Sequence, residues 1–257
     1  MGSQPQASVF FSQTPDLQNA KAAPASPLAS NPNWTASQKA IAATYNRLGG
    51  LLTEIGKQVQ VPLPPTLAVW YVESGGVAST PGQAVIRFEV GRLLSAWGKN
   101  NSGPFDAHFQ CGGYRGIPGA SWQNNAFSVA PGGPFVPLHT SQANEYAALK
   151  LASQLAGQET AVRCISIGGC QIMVSNFGML GYSSGMDMYN AFQSTENAQV
   201  LGFFDFCARQ GGGLFGFLQK LDFASFAAQY NGPGQVQVYS AKLKNATDDA
   251  NAVLGTS

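Results

Sequence analysis

The stretch from Pro62 to Gly76 constrains this chain more than any other. Three prolines, Pro62, Pro64 and Pro65, stand at its start. Proline lacks a backbone N–H and is tolerated in the first turn of a helix, so Pro65 can begin one. Thr66–Glu73 follows, and Leu67, Val69, Trp70 and Tyr71 make it too apolar to lie on a surface. Ser74-Gly75-Gly76 ends it, because glycine supplies the left-handed backbone common just past a helix. The product is a largely buried helix that finishes on a carboxylate, Glu73.

Around that helix the sequence spells out mostly further helices. Asn33-Trp34-Thr35 offers a cap before Ala36–Gln60, where Ile41, Tyr45, Leu48, Leu51, Leu52 and Ile55 recur at helical spacing. Gly49-Gly50 weakens its middle. Ala84–Val90 reads as a strand or extended segment. Residues 98–138 are rich in Gly, Pro and Asn with scattered aromatics (Phe105, Phe109, Tyr114, Trp122, Phe127, Phe135), and read as a long loop of the kind that forms lids and binding walls. Ser141–Ala156 is helical, and further helices are expected near 187–193, 195–210, 214–219, 222–229 and 235–253. The fold class is therefore mainly α, in the α+β sense, with a small extended or hairpin portion. Residues 1–32, rich in Ala, Ser, Pro and Gln, read as a flexible tail, and 33–257 as the folded domain.

Composition narrows the partners. Lys and Arg number 14 and Asp and Glu 13, a formal charge of +1, so no global field draws the chain to nucleic acid or anionic lipid. Charged residues are only 11% of the chain, which leaves its polar surface to Ser, Asn, Gln, Thr and Gly. No apolar run is long enough to span a bilayer, and no basic segment followed by an apolar core marks a secretory signal peptide. Cys111, Cys164, Cys170 and Cys207 form no CxxC pair, and His108 and His139 stand apart from them, so neither a metal nor a cofactor is expected. The four cysteines are compatible with two disulfides or with buried thiols, and the absence of an export signal favours thiols.

Chemistry gathers on few residues. An acid that cleaves a glycosidic bond must keep its proton near neutral pH, and an apolar pocket does this by disfavouring the charged form. Glu73, behind Ala-Val-Trp-Tyr-Val, fits that need; the alternative is an exposed carboxylate at a helix end. Asp187, Asp205 and Asp222 read as helix-start or surface acids rather than calcium ligands. Gly211-Gly212-Gly213 lacks the lysine of a phosphate loop and reads as a turn. Phe203, Phe204 and Phe206 read as core or groove lining.

Three motifs in order add to Glu73. They are Val72-Glu73-Ser74-Gly75-Gly76 with Phe88-Glu89 after it; Cys164-Ile165-Ser166-Ile167-Gly168-Gly169-Cys170-Gln171-Ile172-Met173; and Phe226-Ala227-Ala228-Gln229-Tyr230-Asn231-Gly232-Pro233-Gly234. The set resembles the N-acetylmuramidase family of the lysozyme-like superfamily, found in phage endolysins and related bacterial proteins. It covers roughly residues 40–250. Cys164 departs from the family's first Ser, Cys170 from an aromatic or aliphatic residue, and Val174-Ser175 from a Gly after Gln-Ile-Met.

The resemblance implies a lysozyme-like helical domain that hydrolyses peptidoglycan glycan strands, with Glu73 protonating the leaving oxygen. It implies Glu89 as a second acid that activates water or stabilises charge on the sugar; its other reading is a structural partner of Arg87 or Arg92. Ser74, Gln171, Tyr230 and Asn231 would line the sugar site. For Gln171 the other reading is capping of buried backbone, and for Tyr230-Asn231 a turn. Ser166 would support the backbone near Glu73. A lytic transglycosylase forming 1,6-anhydro ends shares much of this pattern, and an inactive glycan-binding or virion structural protein is the non-enzymatic alternative. Action at the bacterial cell wall or periplasm, delivery by phage lysis, a virion or a secretion apparatus, and a monomeric state complete the expectations.

Overall fold

A computed structural model of the chain describes residues 10–77, 80–112, 125–211 and 213–256. In chain order its helices are α1 (Pro15–Gln18), α2 (Ala36–Val59), α3 (Leu63–Ser74), α4 (Val90–Ala96), α5 (Ser102–His108), α6 (Gln142–Ala156), α7 (Gln158–Val162), α8 (Gly185–Ser194), α9 (Glu196–Arg209), α10 (Leu214–Gln219), α11 (Phe223–Asn231) and α12 (Val236–Leu254). Its short strands are β1 (Ile86–Phe88), β2 (Phe109–Gln110), β3 (Ala126–Phe127), β4 (Val136–Pro137), β5 (Ile165–Ile167) and β6 (Ile172–Met173). The fold is mainly α with small antiparallel sheets, as the periodicities indicate. The described residues fall into two compact units, one of 10–77, 179–181 and 195–256, the other of 80–178 and 182–194.

In the first unit α3 is the central element and packs on α2 and α12. Thr35 starts α2 with a reciprocal capping box, its hydroxyl accepting from Gln38 N while the Gln38 side chain accepts from Thr35 N. Leu67, Ala68, Val69 and Trp70 of α3 are buried together with Leu48, Leu51, Leu52 and Ile55 of α2 and Leu243, Ala246 and Ala250 of α12. Trp70 meets Phe203 of α9 edge-on, ring centroids 5.9 Å apart. That geometry adds to the area term that drives the burial.

The expectation of a flexible tail over 1–32 is corrected from residue 10 onward. Phe11 and Ser12 donate their backbone N–H groups to the two carboxylate oxygens of Asp205, at 2.6 and 3.0 Å. The Arg209 guanidinium lies 4.1 Å from the Phe10 ring centroid, and Leu17 is fully buried. The backbone of 21–23 then lies directly on α2, where Gly50 N–H donates to Ala22 O at 2.9 Å. A Cβ at Gly50 would stand 2.4 Å from the carbonyl oxygens of Lys21 and Ala23, so a glycine that weakens the helix locally is what lets the arm dock. Few apolar anchors suffice for this packing, and a composition dominated by Ala, Ser and Pro hides them. Asp205, expected at a helix start or on the surface, is instead a buried residue inside α9.

In the second unit β1, β5 and β6 form an antiparallel sheet in that order, with Arg87 opposite Ser166 and Ser166 opposite Met173. The free edge of β1 is covered by side chains of α6. Gln142 accepts from Ile86 N and donates to Ile86 O, both at 2.9 Å, and Glu145 accepts from Phe88 N at 2.7 Å. Residues 98–138 are not a continuous loop: α5, β2, β3 and β4 lie within them, and the last three strands pair antiparallel. Pro131 and Gly132 mark the turn between β3 and β4; Tyr114 and Trp122 lie outside the described residues. Val90, expected in the strand, begins α4. None of the four cysteines is in a disulfide, and Cys164 and Cys207 are buried. Asp187 sits in the first turn of α8 beside the Ser183 hydroxyl, and Asp222 caps α11 by accepting from Ser225 N at 3.0 Å. Gly213 precedes α10 with φ of +72°, in keeping with a turn, while Gly212 lies outside the described residues.

Candidate active site

The first unit presents Glu73 on the last turn of α3. Thr66 ties the start of the helix by donating to Pro62 O at 2.9 Å. At its end Ser74 is buried and donates to Trp70 O at 2.7 Å. Gly75 follows with φ of +61° and Gly76 with φ of +70°. Both values favour glycine. At Gly76 a side chain is excluded twice over, because a Cβ would come within 2.7 Å of the Tyr71 ring. The Ser-Gly-Gly that follows Glu73 thus closes the helix in one turn and fixes the carboxyl at its tip.

Burial pushes the Glu73 carboxyl up to about 7, and a hydrogen bond from Tyr230 pulls it back down in part. Its Oε1 is enclosed and accepts no hydrogen bond from the described residues. A carboxyl in this state is about half protonated near neutrality, as a general acid requires. Cys207 of α9 lies close enough that the Glu73 charge contributes to the rise of its thiol well above the ordinary range, behind burial as the larger cause. The thiol therefore stays neutral and forms part of the apolar wall.

Tyr230 stands in a dense aromatic group. Phe226, one turn earlier on α11, stacks on it at 5.6 Å with 16° between the planes, and Phe203 and Phe206 of α9 meet it edge-on at 6.0 and 6.3 Å. Phe203 and Phe204 are core, whereas Phe206 is half-buried. Asn231 is the exposed last residue of α11, and Gly232, with φ of +77°, starts the turn through Pro233 that leads into α12.

The second unit carries the other candidates. Glu89 follows β1 directly and precedes α4. Its backbone N–H donates to Cys164 O at 2.8 Å, and its carboxylate pairs with Arg87 Nε at 3.2 Å. Gln171 takes the left-handed backbone, φ +48°, in the turn between β5 and β6. Its amide donates to Gly168 O at 2.8 Å and to Val85 O at 3.2 Å, and its Oε1 accepts from the Ser166 hydroxyl at 2.9 Å. The Ser-Ile-Gly-Gly-Cys-Gln motif is thus a buckle that ties the hairpin to the segment entering β1.

Glu145 belongs to none of the sequence motifs. It is 4% exposed and bonded both to Phe88 N–H and to His139 Nδ1, the latter at 2.8 Å. A signal is nonetheless present, since Glu145 falls on the same α6 stripe as Ala148, Leu149 and Ala152, where a carboxylate needs partners. Among the described residues no group of three or more His, Cys, Asp or Glu could hold a metal ion. None of their helices is long and apolar enough to cross a membrane.

Comparison with known proteins gives the family and a structural relative. The model of a family described as N-acetylmuramidase matches residues 62–251. Among solved structures the chain is similar to the crystal structure of Burkholderia AP3 phage endolysin, at 26% identity and a TM-score of 0.56, over 79% of this chain and 70% of that one. No curated protein matches it.

Proposed function

The chain belongs to the N-acetylmuramidase family, and from that premise we propose that Glu73 is the general acid with which it hydrolyses the glycan strands of peptidoglycan. At the level of class it is a glycoside hydrolase of the muramidase type, acting on peptidoglycan. The observation that carries the finer reading is the Glu73 carboxyl, raised to about 7 by burial and contacted by Tyr230.

In this reading the protonated Glu73 gives its proton to the glycosidic oxygen as the bond to the muramic acid carbon breaks. The sugar ring gathers positive charge, and water completes the cleavage. The Tyr230 hydroxyl donates to the carboxylate left behind and so stabilises the charge as it develops. Glu89, kept in place by Arg87 and by its backbone bond to Cys164, is the second carboxylate, acting on the water or on the charged ring. Tyr230 and Asn231 are the proposed sugar contacts. Ser74 and Gln171 act through the backbone they hold in place, since their side chains bond to it. The similarity to a phage endolysin supports action on the bacterial wall at the end of an infection cycle, with a single chain as the working unit of this reading.

The test is mass spectrometry of the soluble products from purified peptidoglycan, with the native protein beside Glu73→Gln. The expected result is reducing muramic acid ends from the native protein and a loss of turnover of roughly 10²–10⁴ in the variant. Anhydro ends would point to transglycosylation, and near-normal lysis by the folded variant would remove Glu73 from the mechanism.

A further inference from the structure

The turn Gly232–Gln235 folds the start of α12 back over the end of α11. It brings Tyr239, in the first turns of α12, against the Tyr230 ring. The Tyr230 and Tyr239 rings are stacked, with centroids 6.4 Å apart and 19° between the planes. Tyr230 thus has four aromatic neighbours: Phe226 and Tyr239 nearly parallel to it, and Phe203 and Phe206 steeply inclined to it. A ring packed among four aromatic neighbours keeps one rotamer, and its hydroxyl stays where it meets Glu73.

We propose that Tyr239 is a positioning residue for the hydrolysis: its ring clamps Tyr230 so that the Tyr230 hydroxyl stays on the Glu73 carboxyl. The inference rests on Glu73 as the general acid. The ring carries the effect and the phenol does not, because the Tyr239 hydroxyl is enclosed and bonds to no group among the described residues. The titratable side chains that bear on this point are Tyr230 from α11 and Cys207 from α9 on Glu73, and Tyr239 from α12 on Tyr230.

The hydrogen bond favours the charged carboxylate, so its loss leaves burial unopposed and makes Glu73 hold its proton to higher pH. Replacing Tyr239 by a side chain that cannot stack, as in Tyr239→Leu, is expected to move the alkaline limb of the kcat/KM profile upward by about one pH unit. Turnover at the native optimum should fall about tenfold. Tyr239→Phe keeps the ring and should behave as the native protein does. Tyr230→Phe should reproduce the shift, and adding Tyr239→Leu to it should shift nothing further.

A folded Tyr239→Leu protein with an unmoved alkaline limb overturns the proposal, as does a further shift in the Tyr230→Phe background. A rise in KM for Tyr239→Phe would also overturn it, because the hydroxyl would then be touching substrate. If Tyr239→Leu fails to fold, Tyr239→Trp, which retains a stacking face, and Tyr239→Met, which lacks one, make the same comparison. Titrating the Glu73 carboxyl by NMR, native against Glu73→Gln, separates the two failures. If the limb does not follow the Glu73 titration, the general-acid reading fails. If the Glu73 titration is the limb but Tyr239→Leu leaves it in place, only the clamp fails.

Discussion

The Tyr230 hydroxyl, on α11, donates to the Glu73 carboxyl, on α3, and the bond opposes the burial that raises that carboxyl to about 7. One contact thus lowers the acid's hold on its proton, while the pocket around it raises that hold. Their balance sets the pH range in which the acid is useful.

Activity on purified peptidoglycan should therefore be highest below about pH 7 and fall as the medium becomes more alkaline and Glu73 loses its proton. Rates of wall turbidity loss between acid and alkaline buffers check this directly. A profile flat through neutrality and beyond would show that another group governs the reaction.

The same raised value affects stability. The sign follows from the folded protein binding the Glu73 proton more tightly than the unfolded chain does. The contribution is complete below the ordinary value of 4.5 and is lost as pH climbs to about 7. At about 1.36 kcal/mol per unit, discounted for partial exposure, the loss is roughly 2–3 kcal/mol. Glu73→Gln carries no such charge, so urea midpoints of native and variant should be close at pH 4.5 and diverge at pH 8 in favour of the variant.

Asp205→Ala takes away the acceptor for Phe11 N–H and Ser12 N–H and leaves Arg209 without its buried counter-charge. A loss of about 1–3 kcal/mol is expected, with the arm released from α9. Limited proteolysis should then cut within residues 10–32 of the variant well before it cuts the native chain. Equal protection in both would mean that Leu17 and Phe10 hold the arm without Asp205.

Glu145→Ala leaves Phe88 N–H unsatisfied beneath α6 and removes the partner of His139 Nδ1. The cost is about 2–4 kcal/mol, and thermal melting would measure it. Because β1 leads straight into Glu89, activity should fall below what the fraction folded alone explains. Activity that tracked the folded fraction alone would make Glu145 a stability residue without influence on the site.

Much of α3 is legible in the amino-acid sequence, because the prolines at 62–65 and Gly75 bracket it and the residues between leave no polar face, although the helix begins at Leu63, two residues before Pro65. The juxtaposition of Glu73 with Tyr230 is not legible from the residues themselves. It joins positions on α3 and α11, and only the family resemblance puts the two in one site. Tyr239 gives no signal at all, since it stacks through a turn whose exit direction no local pattern encodes. The arm at 10–32 passes for a tail because Phe10, Phe11 and Leu17 are too sparse to set up a period. Glu145 is legible in principle as a carboxylate on an apolar stripe.

The covering of β1 by Gln142 and Glu145 has a consequence for behaviour in a crowded solution. An outermost strand ordinarily offers its amides as a template on which another chain can lay a strand of its own. Here the amides of Ile86 and Phe88 are already bonded to helix side chains. A second molecule would have to displace α6 to use that edge, so growth by recruitment is blocked at β1 even where many copies accumulate.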